Sequence, residues 1–291
     1  MATVAQWMAG ARVRTLPNSV SPVLVGAGAA WAINGFVWWQ ALLALVVALA
    51  FQVGVNYAND YSDGIRGTDT ERVGPLRLVA SGLVPAGSVK SAAFACFGLA
   101  CVAGLVLVVT SGQWWLLALG VVSVLGAWFY TGGRKPYGYL GFGELAVFFF
   151  FGPIPVLGTM YVQTGRVSWF GVVASLALGS FSAAVMAANN LRDRPTDEES
   201  GKRTVAVRLG DSGTRVFFAV LTTLPYIVTV VLTFVATPWA LLGLVATGKS
   251  GLATQTVLKG AVGPALIPVL KDTALAMLIW AVATTAAAVL A

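Results

Sequence analysis

Long apolar runs constrain this chain more than any other feature. They include residues 41–55, 99–110, 145–157 and 216–236. A helix needs about 20 mostly apolar residues to cross the hydrocarbon core of a bilayer, and several stretches reach that length. The repeated short alternating segments of a membrane β-barrel do not occur in the sequence. Because only helices and closed barrels satisfy their backbone polar groups inside lipid, the runs predict transmembrane helices.

The runs predict an all-α polytopic membrane protein with about nine transmembrane helices. The eighth helix is the least regular, because Lys249 interrupts it. Pro22 in the first span, with Pro153 and Pro155 in the fifth, favours kinked helices that line a cavity. The predicted spans are residues 15–34, 39–58, 89–110, 114–130, 143–163, 168–190, 216–236, a stretch that begins near 238, and 273–291.

Composition excludes a soluble fold. Only 10% of the residues are charged and 58% are hydrophobic, whereas an average soluble domain carries about 25% charged residues. The chain has no histidine, so histidine metal ligands and histidine general bases are excluded. Cys96 and Cys101 lie in one apolar span, where buried thiols are a better interpretation than a redox pair.

The net charge of +7 does not indicate a nucleic-acid partner, because the basic residues flank hydrophobic spans. With nine spans, every Lys and Arg except Arg166 falls on the side of the N-terminus. The positive-inside rule therefore predicts a multi-pass protein of the cell membrane with a cytoplasmic N-terminus and an external C-terminus. Arg12 and Arg14 precede the first span, which we interpret as uncleaved rather than as a signal peptide.

The acidic residues cluster after the second and the sixth predicted span, at the same end of the bundle. This spacing favours an internal duplication of a four-helix unit. We expect one domain over residues 1–291, with halves at about 12–135 and 136–260 and one further helix. Apart from Glu144 and Asp272, the acids are Asp60, Asp63, Asp69, Glu71, Asp193, Asp197, Glu198, Glu199 and Asp211.

Each acidic cluster contains an Asn four residues before an Asp. Asn56 precedes Asp60, and Asn189 precedes Asp193. On a helix this spacing places both side chains on one face. Pro195 argues against a helix that continues as far as Asp197.

Close carboxylates repel one another unless a cation lies between them, and oxygen ligands without His or Cys suit Mg²⁺. Ordinary solvated loop charges are the alternative, which the matching of the two motifs disfavours. The predicted metal ligands are Asn56, Asp60, Asp63, Asp69, Asn189, Asp193 and Asp197, of which Asp60, Asp63, Asp193 and Asp197 are the predicted catalytic residues. The predicted diphosphate-binding residues are Asn59, Arg66, Arg72, Lys202 and Arg203.

The loop after the fourth span is rich in glycine, tyrosine and basic residues. Its cations could bind a phosphate or a carboxylate, or could simply anchor the loop on one side of the membrane. Glu144 could complement a helix N-terminus or have a polar role in the cavity. The phenylalanines at 148–151 favour packing, with stabilisation of an allylic cation as the alternative. The candidate binding residues of this region and of the N-terminal segment are Arg14, Tyr130, Arg134, Lys135, Tyr139 and Glu144.

Several segments together resemble a known family. They are residues 14–17, 56–69, 79–83, 130–141, 143–145, 151–153 and 189–204. The chain is similar to the UbiA superfamily of intramembrane prenyltransferases, and within it to the branch that acts on 1,4-dihydroxy-2-naphthoate. One departure is Gly67, which stands where the common first motif has its third Asp.

The resemblance implies nine helices around a central cavity capped by cytoplasmic loops. It also implies Mg²⁺ as cofactor, with a polyprenyl diphosphate and 1,4-dihydroxy-2-naphthoate as substrates. The predicted acceptor-binding residues are then Arg14, Tyr130, Arg134, Lys135, Tyr139 and Glu144. Transfer of the polyprenyl group, with loss of CO₂ and pyrophosphate, would give demethylmenaquinol for menaquinone biosynthesis. Alternatives are another acceptor, such as hydroxybenzoate, a chlorophyll-type ring or phosphoribose, or a membrane transporter. Prenyl chain length and oligomeric state stay open.

Overall fold

A computed structural model describes residues 2–67 and 76–291, and in these residues the regular secondary structure is entirely helical. The predicted metal ligand Asp69, the predicted diphosphate-binding residue Arg72 and Glu71 of the first acidic cluster lie outside the described residues. The α-helices are α1 (Val4–Ala11), α2 (Pro17–Trp31), α3 (Trp38–Arg66), α4 (Ala86–Ser111), α5 (Leu116–Phe129), α6 (Gly143–Phe151), α7 (Pro153–Thr164), α8 (Trp169–Glu199), α9 (Val205–Val235), α10 (Thr247–Leu258) and α11 (Ile267–Val289).

Within the described residues, six helical segments are long and apolar enough to cross a membrane. They include α3, α4, α8 and α9, the continuous pair α6–α7, and α11 with the short helix before it. Large apolar side chains cover the outside of the bundle; Phe234 is 84% exposed and Trp169 is 77% exposed. In water such a surface would drive association. The chain is therefore a multi-pass membrane protein.

The other three predicted spans correspond to shorter or composite segments. The first and fourth are α2 and α5, with 15 and 14 residues. The eighth is a 3-10 helix over Pro238–Ala246 that continues into α10. The expectation that Lys249 interrupts the eighth helix is wrong, because Lys249 lies inside α10 and its Nζ is 3.1 Å from Asp272 Oδ1 on α11. This ion pair gives the lysine a partner within the bundle.

The fifth predicted span is broken near its prolines, as expected. α6 ends at Phe151 and α7 begins at Pro153, with Gly152 in an irregular conformation between them. A Cβ at Gly152 would lie 2.6 Å from the Cα of Gly179 on α8. Only glycine therefore allows α8 to pack this closely against the break.

The two helices that carry the acidic motifs are longer than predicted. α3 continues to Arg66 and α8 to Glu199, so both motifs are helical. The expectation that Pro195 ends its helix is wrong, since α8 runs through it. Proline removes one backbone hydrogen bond from a helix, and buried ion pairs at Asp193 and Asp197 fix the side chains before and after it.

Helix packing brings the two motifs to one end of the bundle. α3 packs against α4 and α8 packs against α9, while α2 contacts α7 and α11. Apolar side chains such as Phe181, Phe218 and Trp280 fill the interior. The C-terminal ends of α3 and α8 meet beneath the connection between α5 and α6.

Candidate active site

A polar pocket lies where the ends of α3 and α8 meet. Its cavity volume is about 90 Å³, which is small beside the 300–1,000 Å³ typical of ligand sites, because charged side chains fill it. The lining residues include three acids and three cations. The pocket is lined by Arg12, Asn59, Asp63, Arg77, Tyr130, Thr131, Gly138, Tyr139, Met186, Asn189, Asn190, Asp193, Asp197, Lys202 and Thr204.

α3 contributes Asn59 and Asp63, which are four residues apart on one helix face. The Tyr139 hydroxyl donates a short hydrogen bond to Asp63 Oδ1. Arg77 Nη2 lies 3.6 Å from Asp63 Oδ2. Asn59 Oδ1 accepts a hydrogen bond of 2.8 Å from the Thr131 hydroxyl. The pocket face of α3 is thus held on both sides by neighbouring loops.

The other predicted ligands on α3 face away from the pocket. Asp60 accepts backbone N–H bonds from Leu78 at 2.8 Å and Val79 at 3.0 Å. The Asn56 amide donates to the Ala11 carbonyl at 2.9 Å. Asn56 and Asp60 do share a helix face, as predicted, but this face binds backbone, and neither residue lines the pocket.

α8 places all of its predicted ligands in the pocket: Asn189, Asp193 and Asp197. Arg192 forms a fork with Asp193, with Nε–Oδ1 and Nη2–Oδ2 distances of 2.7 Å. The same Nη2 donates to Asn189 Oδ1 at 2.9 Å. The Arg192 and Asp193 side chains are only 2% and 4% exposed. Such a two-pronged ion pair fixes the direction of the carboxylate.

Tyr139 contacts the first motif directly and approaches the second through Lys202. Its hydroxyl reaches Asp63, and its ring lies 4.7 Å from Lys202 Nζ. That Nζ is 3.4 Å from Asp197 Oδ1. The Tyr139 carbonyl accepts the N–H of Arg203 at 2.8 Å. One tyrosine therefore joins the loop after α5 to α3 and to the segment that follows α8.

Tyr137 and Arg66 hold that same loop in place. The Tyr137 hydroxyl donates to the Gly126 carbonyl at 2.7 Å, and burial raises the pKa of Tyr137 to about 12, so the hydroxyl keeps its proton at neutral pH. Arg66 donates short hydrogen bonds to the carbonyls of Thr131 and Gly133. Arg66 thus holds backbone and does not line the pocket.

Several predicted binding residues lie outside the pocket lining. Arg14, Arg134, Lys135 and Arg203 are exposed. Three cations of the site were not predicted from the sequence. Arg12 and Arg77 line the pocket, and Arg192 pairs with Asp193. The position of Arg192 directly before Asp193 was an available signal. Arg77 carried no such signal, since only folding brings it to Asp63.

Glu144 lies behind the pocket wall. It is 4% exposed, and its Oε1 accepts a hydrogen bond of 2.9 Å from Asn190, a lining residue. Its Oε2 is buried and has no hydrogen-bond partner in the described part of the chain. A buried carboxylate oxygen without a hydrogen-bond partner can accept a hydrogen bond from a donor group of a bound molecule.

Comparison with known proteins identifies the family. The UbiA prenyltransferase family matches residues 19–260. A Mycobacterium tuberculosis protein named 1,4-dihydroxy-2-naphthoate octaprenyltransferase is 55% identical over 287 residues, which covers 99% of this chain and 98% of the relative. An Escherichia coli protein of the same name is 37% identical, covering 74% of this chain and 72% of its own. The chain belongs to the UbiA prenyltransferase family.

Solved structures of other UbiA proteins share the fold. An apo UbiA homologue from Aeropyrum pernix has a TM-score of 0.72 at 13% identity, and the match covers 91% of this chain and 96% of the homologue. An Archaeoglobus fulgidus homologue, solved with GPP and Mg²⁺, has a TM-score of 0.65 at 14% identity and covers 97% and 99%. At this identity the likeness establishes the UbiA fold.

The oxygen donors of the pocket suit a hard cation such as Mg²⁺. The available ligands are oxygens of Asp63, Asp193, Asp197 and the neighbouring amides. Within residues 2–67 and 76–291, no three acidic side chains lie close enough together to form a metal site on their own. Mg²⁺ typically takes one or two carboxylates and completes its shell with water and substrate phosphates. The pocket therefore suits an ion that arrives with a diphosphate.

Proposed function

We propose that this chain transfers a polyprenyl group from polyprenyl diphosphate to 1,4-dihydroxy-2-naphthoate. CO₂ and pyrophosphate leave, and the product is demethylmenaquinol for menaquinone biosynthesis. The full-length 55% identity to the mycobacterial octaprenyltransferase carries the choice of acceptor. The paired acidic motifs support the diphosphate half of the reaction. They do not by themselves define the acceptor.

In the proposed site, Asp63 on α3 and Asp193 and Asp197 on α8 would hold Mg²⁺. Asn59 and Asn189 flank them as further oxygen donors. Bound Mg²⁺ neutralises charge on the diphosphate and so eases its departure. Asn56 and Asp60 fit this role poorly, because both bind backbone outside the pocket. Asp69 remains a proposed ligand.

The cations of the site stabilise the departing pyrophosphate. Arg12, Arg77 and Lys202 line the pocket, and positive groups placed where negative charge develops lower the barrier. In the absence of substrate these cations balance the acids, with Lys202 next to Asp197 and Arg77 next to Asp63. Binding of a metal diphosphate exchanges these internal pairs for pairs with phosphate. Arg72, Arg66 and Arg203 are proposed as secondary contacts.

The acceptor ring binds beside the diphosphate. Glu144 is proposed to accept a hydrogen bond from a ring hydroxyl through its buried Oε2, which makes the ring more electron-rich. Tyr130 and Tyr139 offer pocket-lining aromatic surface. Arg14, Arg134 and Lys135 are exposed, and we propose that they attract the anionic acceptor rather than hold it.

The reaction balances without a base, because CO₂ rather than a proton leaves the ring carbon that is prenylated. The bond between the prenyl carbon and the diphosphate oxygen breaks, and its electron pair leaves with pyrophosphate. The ring carbon that bears the carboxylate forms the new bond to the prenyl carbon. The electron pair of the ring–carboxylate bond then returns to the ring as CO₂ departs. Glu144 therefore needs only to orient and polarise the hydroxyl.

We further propose the topology that the charges predict. Nine helices surround a central cavity, in two four-helix halves and one last helix, within a single domain. The site end of the bundle faces the cytoplasm and is capped by loops. The basic residues at that end support this orientation through the positive-inside rule. The apolar outer surface contacts the bilayer, which gives the prenyl tail a way into the site.

Product formation by purified protein tests the function. The protein in detergent receives Mg²⁺, a radiolabelled polyprenyl diphosphate and 1,4-dihydroxy-2-naphthoate, with EDTA as one control. We expect a prenylated, decarboxylated naphthoquinol that is lost with EDTA and in Asp63→Asn. Glu199→Gln, an exposed acid at the end of the same α8, is the matched control that keeps activity.

Other outcomes would reject parts of the proposal. Product with hydroxybenzoate but not with the naphthoate would keep the family and reject the acceptor. Charge movement in liposomes without prenyl diphosphate, together with no product, would favour a transporter instead.

A further inference from the structure

Asp60 belongs to the first acidic motif by sequence, yet its surroundings differ from those of the other acids. It is 1% exposed. Its two carboxylate oxygens accept separate backbone N–H bonds, Oδ2 from Leu78 and Oδ1 from Val79. An ionised carboxylate is an acceptor on both oxygens, and it matches two adjacent amides well.

The segment that Asp60 binds is a compact turn over residues 77–84. Backbone bonds run from Ser81 N to Arg77 O at 3.1 Å and from Val84 N to Leu78 O at 3.1 Å. Gly82 accommodates the turn with a positive φ of 69°. The turn is therefore a preformed unit, and its attachment to the helices decides where Arg77 lies.

Close contacts dock this turn on α1 and α3. A Cβ at Gly10 on α1 would lie 2.7 Å from Leu78 Cδ1. A Cβ at Gly64 on α3 would lie 2.5 Å from Val79 Cγ1. Neither glycine can gain a side chain without displacing the turn. The Asp60 bonds thus add a polar attachment to these two apolar contacts.

Arg77 begins the turn, directly before the two amides that Asp60 holds. It is 9% exposed, and its Nη2 lies 3.6 Å from Asp63 Oδ2 in the pocket. Asp60 and Asp63 are neighbours on α3 but point to different partners. One carboxylate fixes the backbone of the turn, and the other faces the cation that the turn presents.

We propose that Asp60 is a positioning residue, which clamps the 77–84 turn to α3 and thereby delivers Arg77 to the pocket as a cation for the diphosphate. The role of Arg77 toward the diphosphate rests on the proposed function; the clamp itself does not. Asp60 is accordingly not a metal ligand, although it lies within the motif.

The test compares Asp60→Asn with Asp63→Asn and Arg77→Gln. An Asn side chain has one acceptor oxygen, and its NH₂ group would face a backbone N–H. We expect amide exchange of residues 78–84 in Asp60→Asn to rise at least about tenfold, because a bond to a charged group is lost. Exchange in Arg77→Gln and Asp63→Asn is expected to stay within about twofold of the unmodified protein.

Kinetics separate the clamp from a metal ligand. Asp60→Asn and Arg77→Gln should each raise KM for the prenyl diphosphate on the order of tenfold and leave the half-saturating Mg²⁺ concentration within about twofold. Asp63→Asn should raise the Mg²⁺ requirement. If Asp60→Asn raises it as Asp63→Asn does, or leaves amide exchange unchanged, the clamp is rejected.

Gly64→Ala gives a second route should Asp60→Asn not fold. It pushes the turn off α3 and leaves every acid in place, so it should also raise exchange and KM for the diphosphate. A normal KM in Gly64→Ala with faster exchange would reject the delivery of Arg77. If the unmodified protein forms no product, the proposed function fails, and the exchange measurements still decide the clamp.

Discussion

The ends of α3 and α8 carry the same Asn-x-x-x-Asp spacing but use it differently. On α8, Asn189, Asp193 and Asp197 all line the pocket. On α3, the predicted pair of Asn56 and Asp60 anchors backbone, and the pair one turn later enters the pocket. The motif spacing thus identifies one helix face, and the neighbouring segments determine whether that face binds substrate or structure.

The two ends also differ in how their acids are neutralised. Both ion pairs are buried, but the Arg192–Asp193 fork has two distances of 2.7 Å, whereas the Arg77–Asp63 pair is 3.6 Å apart. Removal of one partner of a buried ion pair leaves an uncompensated charge, which costs far more than loss of a looser pair.

The largest expected effect follows from this difference. Arg192→Gln should lower the free energy of unfolding by about 3–5 kcal/mol, whereas Arg77→Gln should lower it by less, because the Arg77–Asp63 pair is longer and Asp63 also accepts a hydrogen bond from Tyr139. Thermal or denaturant unfolding in detergent measures both. Equal losses would show that the two acidic ends are held in the same way.

The asparagine side chains of the two motifs provide the next test of the comparison. Asn189→Ala removes an oxygen from the pocket and should lower kcat/KM about 10–100-fold, the range for groups that support a metal site. Asn56→Ala should instead cost about 1–3 kcal/mol of stability, because it leaves the buried Ala11 carbonyl without its partner. Steady-state kinetics and unfolding of the two variants give the contrast. A comparable loss of kcat/KM in both would mean that Asn56 also contacts substrate.

The fold and the site could be predicted from the sequence where a single local pattern was sufficient. Apolar runs indicated the helices, prolines indicated the break in the fifth span, and the second motif indicated three pocket residues. Features that depend on a partner distant along the chain could not be predicted. Asp60 cannot be distinguished from Asp63 without the turn at residues 77–84, and no spacing rule brings Arg77 to α3.

Pro195 and Lys249 were each predicted wrongly from a local preference. Proline is a helix breaker on average, yet α8 continues through Pro195 to Glu199, and the side chains of Asp193 before it and Asp197 after it are held in buried ion pairs. A lysine in a span is unfavourable alone, and its partner Asp272 lies 23 residues away on another helix. The second error, unlike the first, depends on a partner that is distant along the chain.

Tyr139 offers a smaller effect that bears on both ends at once. Tyr139→Phe removes the hydroxyl that donates a hydrogen bond to Asp63 and keeps the ring that lies next to Lys202. We expect KM for the prenyl diphosphate to rise by about tenfold, as for one lost bond to a charged group, with stability almost unchanged. Tyr139→Ala should have a larger effect because the ring is lost as well. Identical kinetics for the two variants would assign the whole role to the ring.

The smallest expected effects belong to the exposed cations of the same loop. Arg134→Gln and Lys135→Gln remove charges outside the pocket lining, where exposed ion pairs contribute about 0.2–1 kcal/mol. KM for the naphthoate should therefore rise by less than about fivefold, and added salt should remove the difference, because screening weakens long-range attraction. Arg66→Gln is the contrasting variant, since Arg66 holds the backbone of this loop and its effect should persist in salt. A salt-resistant rise of a hundredfold in Arg134→Gln would place Arg134 against the acceptor carboxylate, so that the loop after α5 would bind the acceptor by charge as well as line the pocket.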